Sequence, residues 1–256
     1  MSDLKHAINA AVAAGNVVLA LRDTNFSRHN KESNRDVVTE ADLISERLII
    51  DSLTQNLASF SYLSEELNIL VGDSSNYWAI DPIDGTANFV AGSGNFCVSL
   101  GHVAGAAINT GVVFAPASND LYYGSTGEGA YKNQKKLSVS SCNLSESLIT
   151  FSLPGKANLH GDESKYELLS ELNRLSSGII RLGSAALHLV HHADGIYGGC
   201  VGFDAPIWDI AGGLAICNIA GSSYRLFPTD NEYRFHYVCA PADLLDQLCL
   251  LMEPSL

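Results

Sequence analysis

The run Trp78–Phe89, WAIDPIDGTANF, places two carboxylates, Asp81 and Asp84, three residues apart among neighbours that read as core. An unpaired buried charge costs several kcal/mol. Any fold that buries this run must therefore supply arginine or lysine, backbone N–H groups, or a cation. Lysine and arginine total only 15 against 28 acidic residues, and none lies near Asp81, Asp84, Glu65 or Glu66 in the chain. A divalent metal is then the natural partner, because hard ions such as Mg²⁺ take carboxylate, carbonyl and water oxygens. Pro82 and Gly85 break the apolar strand. The resulting bend turns both carboxylates, and the Ile83 carbonyl between them, toward one point. Gly85 lets a ligand approach the backbone, and Thr86 presents a hydroxyl and an N–H together. A helix beginning there would offer its N-terminus to a phosphate. The plainer reading is a turn at Asp84–Gly85 whose aspartates cap local N–H groups.

Further carboxylates recur at element boundaries. Glu65 and Glu66 close the strand-like YLSEE. Asp209 follows a tryptophan in WDIAGG. Asp36 and Asp42 lie in DVVTEAD. Such a set without basic partners is what a two- or three-metal phosphoryl site requires, with metals clamping the attacking and leaving oxygens. Ordinary helix caps are the competing reading of each motif alone.

The chain has 256 residues and 46% apolar content, enough for one large domain or two closely joined halves. The formal charge of −13 disfavours a nucleic-acid partner, since few cations are present to neutralise phosphates. Six cysteines occur with no CxxC pair, which reads as reduced core thiols and a cytoplasmic protein. The N-terminal AINAAVAAGNVVLALR superficially resembles a signal peptide. Asn9, Gly15 and Asn16 interrupt it, and Leu4, Ile8, Ala11, Val12 and Val18 fit a helix over 3–22 instead. No apolar run reads as long enough to span a bilayer, so no membrane partner is expected.

A helix is also expected after VVT, with Thr39 and Asp42 as a candidate capping box. Antiparallel strands joined by glycine-rich turns are expected from FCVSLGHV to KKLSVS. Helices are expected over DESKYELLSELNRL and over GSAALHLVHHADG, closing at Gly195. A helix starting near Trp208 and a final strand and helix complete the pattern. This alternation lacks a strict βαβ period, so it favours an α+β layering with largely antiparallel sheets.

WAIDPIDGTANF resembles the WxIDPxDGTxNF signature of the inositol monophosphatase family, and APIWDIAGGLAICNIAGS resembles its WDxAAG signature. NKESNRDVVTEAD, SEE, GEGAYKNQKKLSVS and RLGSAAL resemble further family segments, in the expected order from about residue 3 to the end. The resemblance implies a layered α/β/α/β/α sandwich of the inositol monophosphatase / fructose-1,6-bisphosphatase type. It implies one domain over 1–256, with halves near 1–145 and 146–256. It implies two or three Mg²⁺, lithium sensitivity, a homodimer, and hydrolysis of a small phosphate monoester by metal-activated water. The implied metal ligands are Glu65, Asp81, the Ile83 carbonyl, Asp84 and Asp209. Thr86 and Glu65 would hold the attacking water, and Asp42 would orient Thr86. The backbone at Gly85 and Thr86 would hold the phosphate. Gly183, Ser184 and Ala185 would line the rest of the substrate, beside Asp84 and Asp209.

The resemblance weakens where specificity is set. Family members carry a glutamate shortly before the WD motif; here YGGCVGFDAPIWD is longer, and Asp204 is its only carboxylate before the motif. Gly155 or Lys156 stands where some members place a substrate-contacting serine. Histidinol phosphate, fructose 1,6-bisphosphate and 3′-phosphoadenosine 5′-phosphate therefore remain alternative substrates to an inositol phosphate. A regulatory binding protein that kept the fold, such as a partner of the RNA machinery, is a further alternative. His188, His191 and His192 form a rival metal set, but without an HExxH glutamate they read as packing. The glycine-rich GSTGEGAYKN reads as a hairpin turn.

Overall fold

The computed structural model describes residues 2–22, 28–30, 37–57, 61–67, 70–153 and 163–256. In chain order the elements are α1 (Asp3–Arg22), β1 (Arg28–Asn30), β2 (Val37–Thr39), α2 (Glu40–Asn56), β3 (Tyr62–Ser64), β4 (Leu70–Val71), β5 (Asn76–Asp84) and α3 (Thr86–Val90). Then come β6 (Cys97–Ala104), β7 (Ala107–Ala115), β8 (Asp120–Ser125), β9 (Gly129–Lys132), β10 (Lys135–Lys136), β11 (Leu148–Ser152) and α4 (Glu163–Leu175). The chain closes with β12 (Gly178–Ile180), α5 (Ala185–Ala193), β13 (Gly199–Pro206), α6 (Ile207–Ile219), β14 (Ser223–Pro228), β15 (Arg234–Ala240) and α7 (Ala242–Met252). Besides the β1–β2 ribbon there are two sheets, ordered β10-β9-β8-β7-β6-β5-β3-β4 and β12-β11-β13-β15-β14. The first is antiparallel except at β3–β5; the second begins with two parallel pairs, β12–β11 and β11–β13.

The period-2 alternation of the strands sorts the core into layers. Trp78, Ile80, Val98, Leu100, Val112 and Phe114 turn one face of the first sheet toward α1 and α2. Tyr77, Ala79, Val113 and Ala115 turn the other face toward α5 and α6. Cys200, Ala205, Tyr237 and Cys239 cover the far side of those same helices. Ile149, Phe151, Val201, Phe203 and Val238 face α4 and α7. The result is the α/β/α/β/α sandwich that the family resemblance implies, with α6 apolar on all sides because both its faces are covered. The helix over 3–22, the antiparallel run and the helix starting beside Trp208 form as expected. The YWAID strand does not break at Pro82; it bulges there and runs on to Asp84. Strands β12, β13 and β14 of the second sheet are not among the elements expected from the sequence.

Contrary to the sequence expectation, α1 is long and apolar enough, by length and composition, to cross a membrane. Ala7, Ala10, Ala11 and Ala14 on that helix are packed into the core against the first sheet, so its apolar character is used within the fold.

The helix α6 sits unusually close to β6 and β7. A Cβ on Gly111 would lie 2.1 Å from the Gly212 carbonyl oxygen, and one on Gly212 would lie 2.8 Å from the Leu100 carbonyl oxygen. Only hydrogens fit between these backbones, so α6 and the residue it carries, Asp209, are set at a fixed depth over the sheet. Gly111→Ala should therefore destabilise the protein by about 1–3 kcal/mol or more in urea unfolding, because two main chains must separate. A change within about 0.5 kcal/mol would show that this contact is not the constraint.

Candidate metal centre

In a regular strand, residues three apart point to opposite faces. The pairing of β5 with β6 corrects this for the two aspartates. Asp81 faces Ser99 and Asp84 faces Cys97, so three steps on β5 match two on β6. One extra residue is accommodated at Pro82–Ile83, as in a β-bulge, and Pro82 sits there without needing a ladder N–H. Ser45 on α2 donates to the Pro82 carbonyl at 3.0 Å, and the Ile83 N–H donates to Asp81 Oδ1 at 2.9 Å. Both braces hold the bulge. Gly85 then turns the chain with φ 95°, a conformation that costs a side-chain-bearing residue, and α3 begins at Thr86.

The other ligand candidates arrive from separate elements. β3 runs parallel to β5, and the Glu65 N–H extends that pairing onto the Ile80 carbonyl at 3.1 Å, so Glu65 leaves the sheet beside Asp81 within hydrogen-bond reach. Asp209 lies in the first turn of α6. Carboxylate oxygens of Asp81, Asp84 and Asp209 all fall within 4.8 Å of one another. The Thr86 hydroxyl lies 3.1 Å from Asp42 Oδ1 and 3.0 Å from the Ile83 carbonyl. Its single proton thus has two acceptors, one on α2 and one on the bulge.

The second sheet closes the site from the opposite side. The segments after β12 and β13 both leave the carboxyl ends of parallel strands, where open α/β sheets commonly bind ligands. From the first comes Ser184, which caps α5 by accepting from the Leu187 N–H. The same hydroxyl donates to Asp84 Oδ2 at 2.5 Å, and the Ala186 N–H donates to that oxygen at 2.7 Å. Asn88 on α3 donates through Nδ2 to the Asn95 and Leu182 carbonyls at 2.8 Å each, tying the two halves together.

The electrostatics point the same way. Burial pushes the Asp81 carboxyl well above its ordinary range, and Glu65, Asp209 and Asp84 push it further. Burial also raises Asp84; hydrogen bonds from Ser184, Ala186 and Ala185 pull it back, and the net result is about 6. Among the described residues no lysine or arginine pairs with Asp81 or Asp84. An all-oxygen donor set, largely dry, fits a hard divalent ion.

Several sequence candidates land elsewhere. Ser184 is buried with its hydroxyl on Asp84, so it braces that carboxylate; Gly183 is exposed and Ala185 half-buried beside it. Asp204 sits in β13 at a second bulge with φ 48°, and it accepts from Arg234 Nε at 2.8 Å. Glu66 offers its N–H to Glu46. His188 and His192 are engaged with Ser152, the Leu182 N–H, the Tyr197 carbonyl and Ser222, while His191 packs on Tyr122 and Tyr197; none joins a metal-binding group among the described residues. Asp36, Gly155 and Lys156, and the side chain of Thr39, lie outside the described residues. The bracing roles of Asn88 and Ser184 were missed. The only local signal was a serine before a helix, which marks a cap and not its second partner.

This architecture and site define a class. The chain belongs to the inositol monophosphatase family, matching it over residues 2–247. Among its relatives, a Nus factor SuhB of Pasteurella multocida is 31% identical over 99% of this chain and 96% of its own length. Inositol monophosphatase 1 of Solanum lycopersicum is 34% identical, covering 84% of this chain and 81% of that protein. The solved inositol monophosphatase of Thermotoga maritima superposes with a TM-score of 0.86 at 27% identity, covering all of this chain and 98% of that one.

A raised folded-state value for Asp84, about 6 against about 3.9 in an unfolded chain, means that the metal-free native state holds a proton the unfolded state has lost. Stability from this group is therefore present below about pH 4 and is lost as pH rises through about 6. In EDTA, Asp84→Asn should be more stable than wild type at pH 7.5, with the gap closing toward pH 4.5 in urea titrations. Parallel pH curves for the two proteins would contradict the assignment.

Proposed function

We propose that the protein hydrolyses small phosphate monoesters with Mg²⁺, the convergence of Asp81, Asp84 and Asp209 being the observation that carries the reading. Glu65, Asp81, the Ile83 carbonyl, Asp84 and Asp209 would hold two or three ions. Bound there, Mg²⁺ supplies charge neutralisation at the phosphoryl oxygens and a lowered pKa for water. The protein's part is positioning. Thr86 and Glu65 would hold the attacking water, and Asp42 accepts the hydrogen bond of the Thr86 hydroxyl, so that the lone pairs of that oxygen face the water. The N–H groups of Gly85 and Thr86 hold the phosphate. No side chain needs to act as nucleophile, because phosphoryl transfer depends chiefly on alignment and electrostatics.

The net charge of −13 does not forbid an anionic substrate. At physiological salt the Debye length is about 8 Å, so the bound ions dominate the local field. Gly183, Ser184 and Ala185 would line the leaving group, and the relatives named inositol monophosphatase favour a polyol phosphate. Lithium sensitivity, a homodimer and a cytoplasmic location belong to the same reading; the six unpaired cysteines support the last.

A second reading is favoured by one observation, the near full-length similarity to a protein named Nus factor. It is that the fold acts as a regulatory binding protein, with or without turnover. Phosphate release from inositol 1-phosphate, histidinol phosphate, fructose 1,6-bisphosphate and 3′-phosphoadenosine 5′-phosphate, in Mg²⁺ and in EDTA, separates the two. Turnover of at least one ester, abolished by EDTA, is expected. Asp84→Asn and Thr86→Ala should each lower kcat at least about a hundredfold while circular dichroism stays native. Inactivity on every ester, together with a stoichiometric protein partner in pull-downs, would favour the regulatory reading instead.

A further inference from the structure

Leu182 lies between β12 and α5, so its N–H has neither a ladder nor a helical partner. That N–H donates to Nε2 of His188 at 2.8 Å. The accepting nitrogen carries no proton, so the ring proton is on Nδ1, which faces Ser152 Oγ at 2.9 Å. His188 is nearly fully buried on the first turns of α5 and donates its own N–H to the Ser184 carbonyl at 3.2 Å. Across the loop, Asn88 Nδ2 holds the Leu182 carbonyl at 2.8 Å and approaches that of Gly183 at 3.3 Å. The peptide units leading to Ser184 are thus gripped on one side by the α3 that follows Asp84 and on the other by the imidazole. Two residues on, Ser184 delivers its hydroxyl to Asp84 Oδ2.

We propose that His188 is a positioning residue for the metal centre: by fixing the Leu182 N–H it sets the loop that aims Ser184 and the Ala186 N–H at Asp84. Groups that orient ligands typically change metal affinity by about 10–100-fold when removed. The inference rests on the reading of Asp84 as a metal ligand.

The test is isothermal titration of Mg²⁺ into full-length wild type, His188→Leu and His188→Gln, with kcat and KM for the best ester alongside. His188→Leu keeps the volume and loses the acceptor. His188→Gln restores an acceptor near the place of Nε2. The expected result is Mg²⁺ binding weakened about tenfold or more in His188→Leu and within about threefold of wild type in His188→Gln. The substrate KM at saturating Mg²⁺ should change far less. Unchanged Mg²⁺ affinity in His188→Leu would overturn the proposal, and so would a His188→Gln as weak as His188→Leu. If His188→Leu does not fold, Ser152→Ala decides: severalfold weaker Mg²⁺ binding supports the proposal, and wild-type affinity overturns it. Absence of Mg²⁺ binding by wild type would instead remove the metal reading, and this inference with it.

Discussion

Three carboxylates crowded into a mostly dry space repel one another, and that repulsion is the constraint around which this molecule is organised. Asp81 and Asp84 are buried, and Asp209 approaches both within 4.8 Å. Left alone, such an arrangement resists ionisation, as the raised Asp81 and Asp84 carboxyls record. The fold tolerates it because each member is pinned by a different element. Much of the surrounding structure makes sense as the means of pinning: a braced bulge in β5, a glycine-lined approach of α6, and a serine cap on α5 that turns outward to Asp84.

The same pinning explains why the site lies at the N-terminal ends of α5 and α6, the helices layered between the two sheets. The first sheet supplies Glu65, Asp81 and Asp84 from neighbouring strands. The second supplies Asp209 and the bracing Ser184 from segments that leave parallel strands at one end. Asn88 and His188 lock the seam between them. Removing a dication from such a centre leaves strain that protons can relieve only in part, which couples metal affinity, pH and folding in one equilibrium.

Much of this was legible in the sequence, and what was not has a common physical cause. The Asp81–Asp84 spacing, the shortage of nearby cations, the antiparallel run and the α6 start are local features, and local patterns survive in a linear reading. The bulge was read as a strand break because Pro82 is a strong breaker; pairing with β6, which the sequence does not display, decides otherwise. Ser184 reaches Asp84 across 100 residues and Arg234 reaches Asp204 across 30, and contacts at such separation leave no periodic trace. The same holds for α1, whose apolar alanines fit a buried helix, a signal sequence or a membrane span until the sheet beneath it is seen.

The central claim is that these carboxylates cage hard dications, and anomalous diffraction from crystals soaked in Mn²⁺, a redox-quiet stand-in for Mg²⁺, tests it most directly. The account predicts at least one peak within coordination distance, about 2.1–2.2 Å, of oxygens from Asp81, Asp84 and Asp209, with Glu65 drawn to a peak as well. A density map with these side chains intact, Mn²⁺ bound elsewhere, and no peak among them would contradict it.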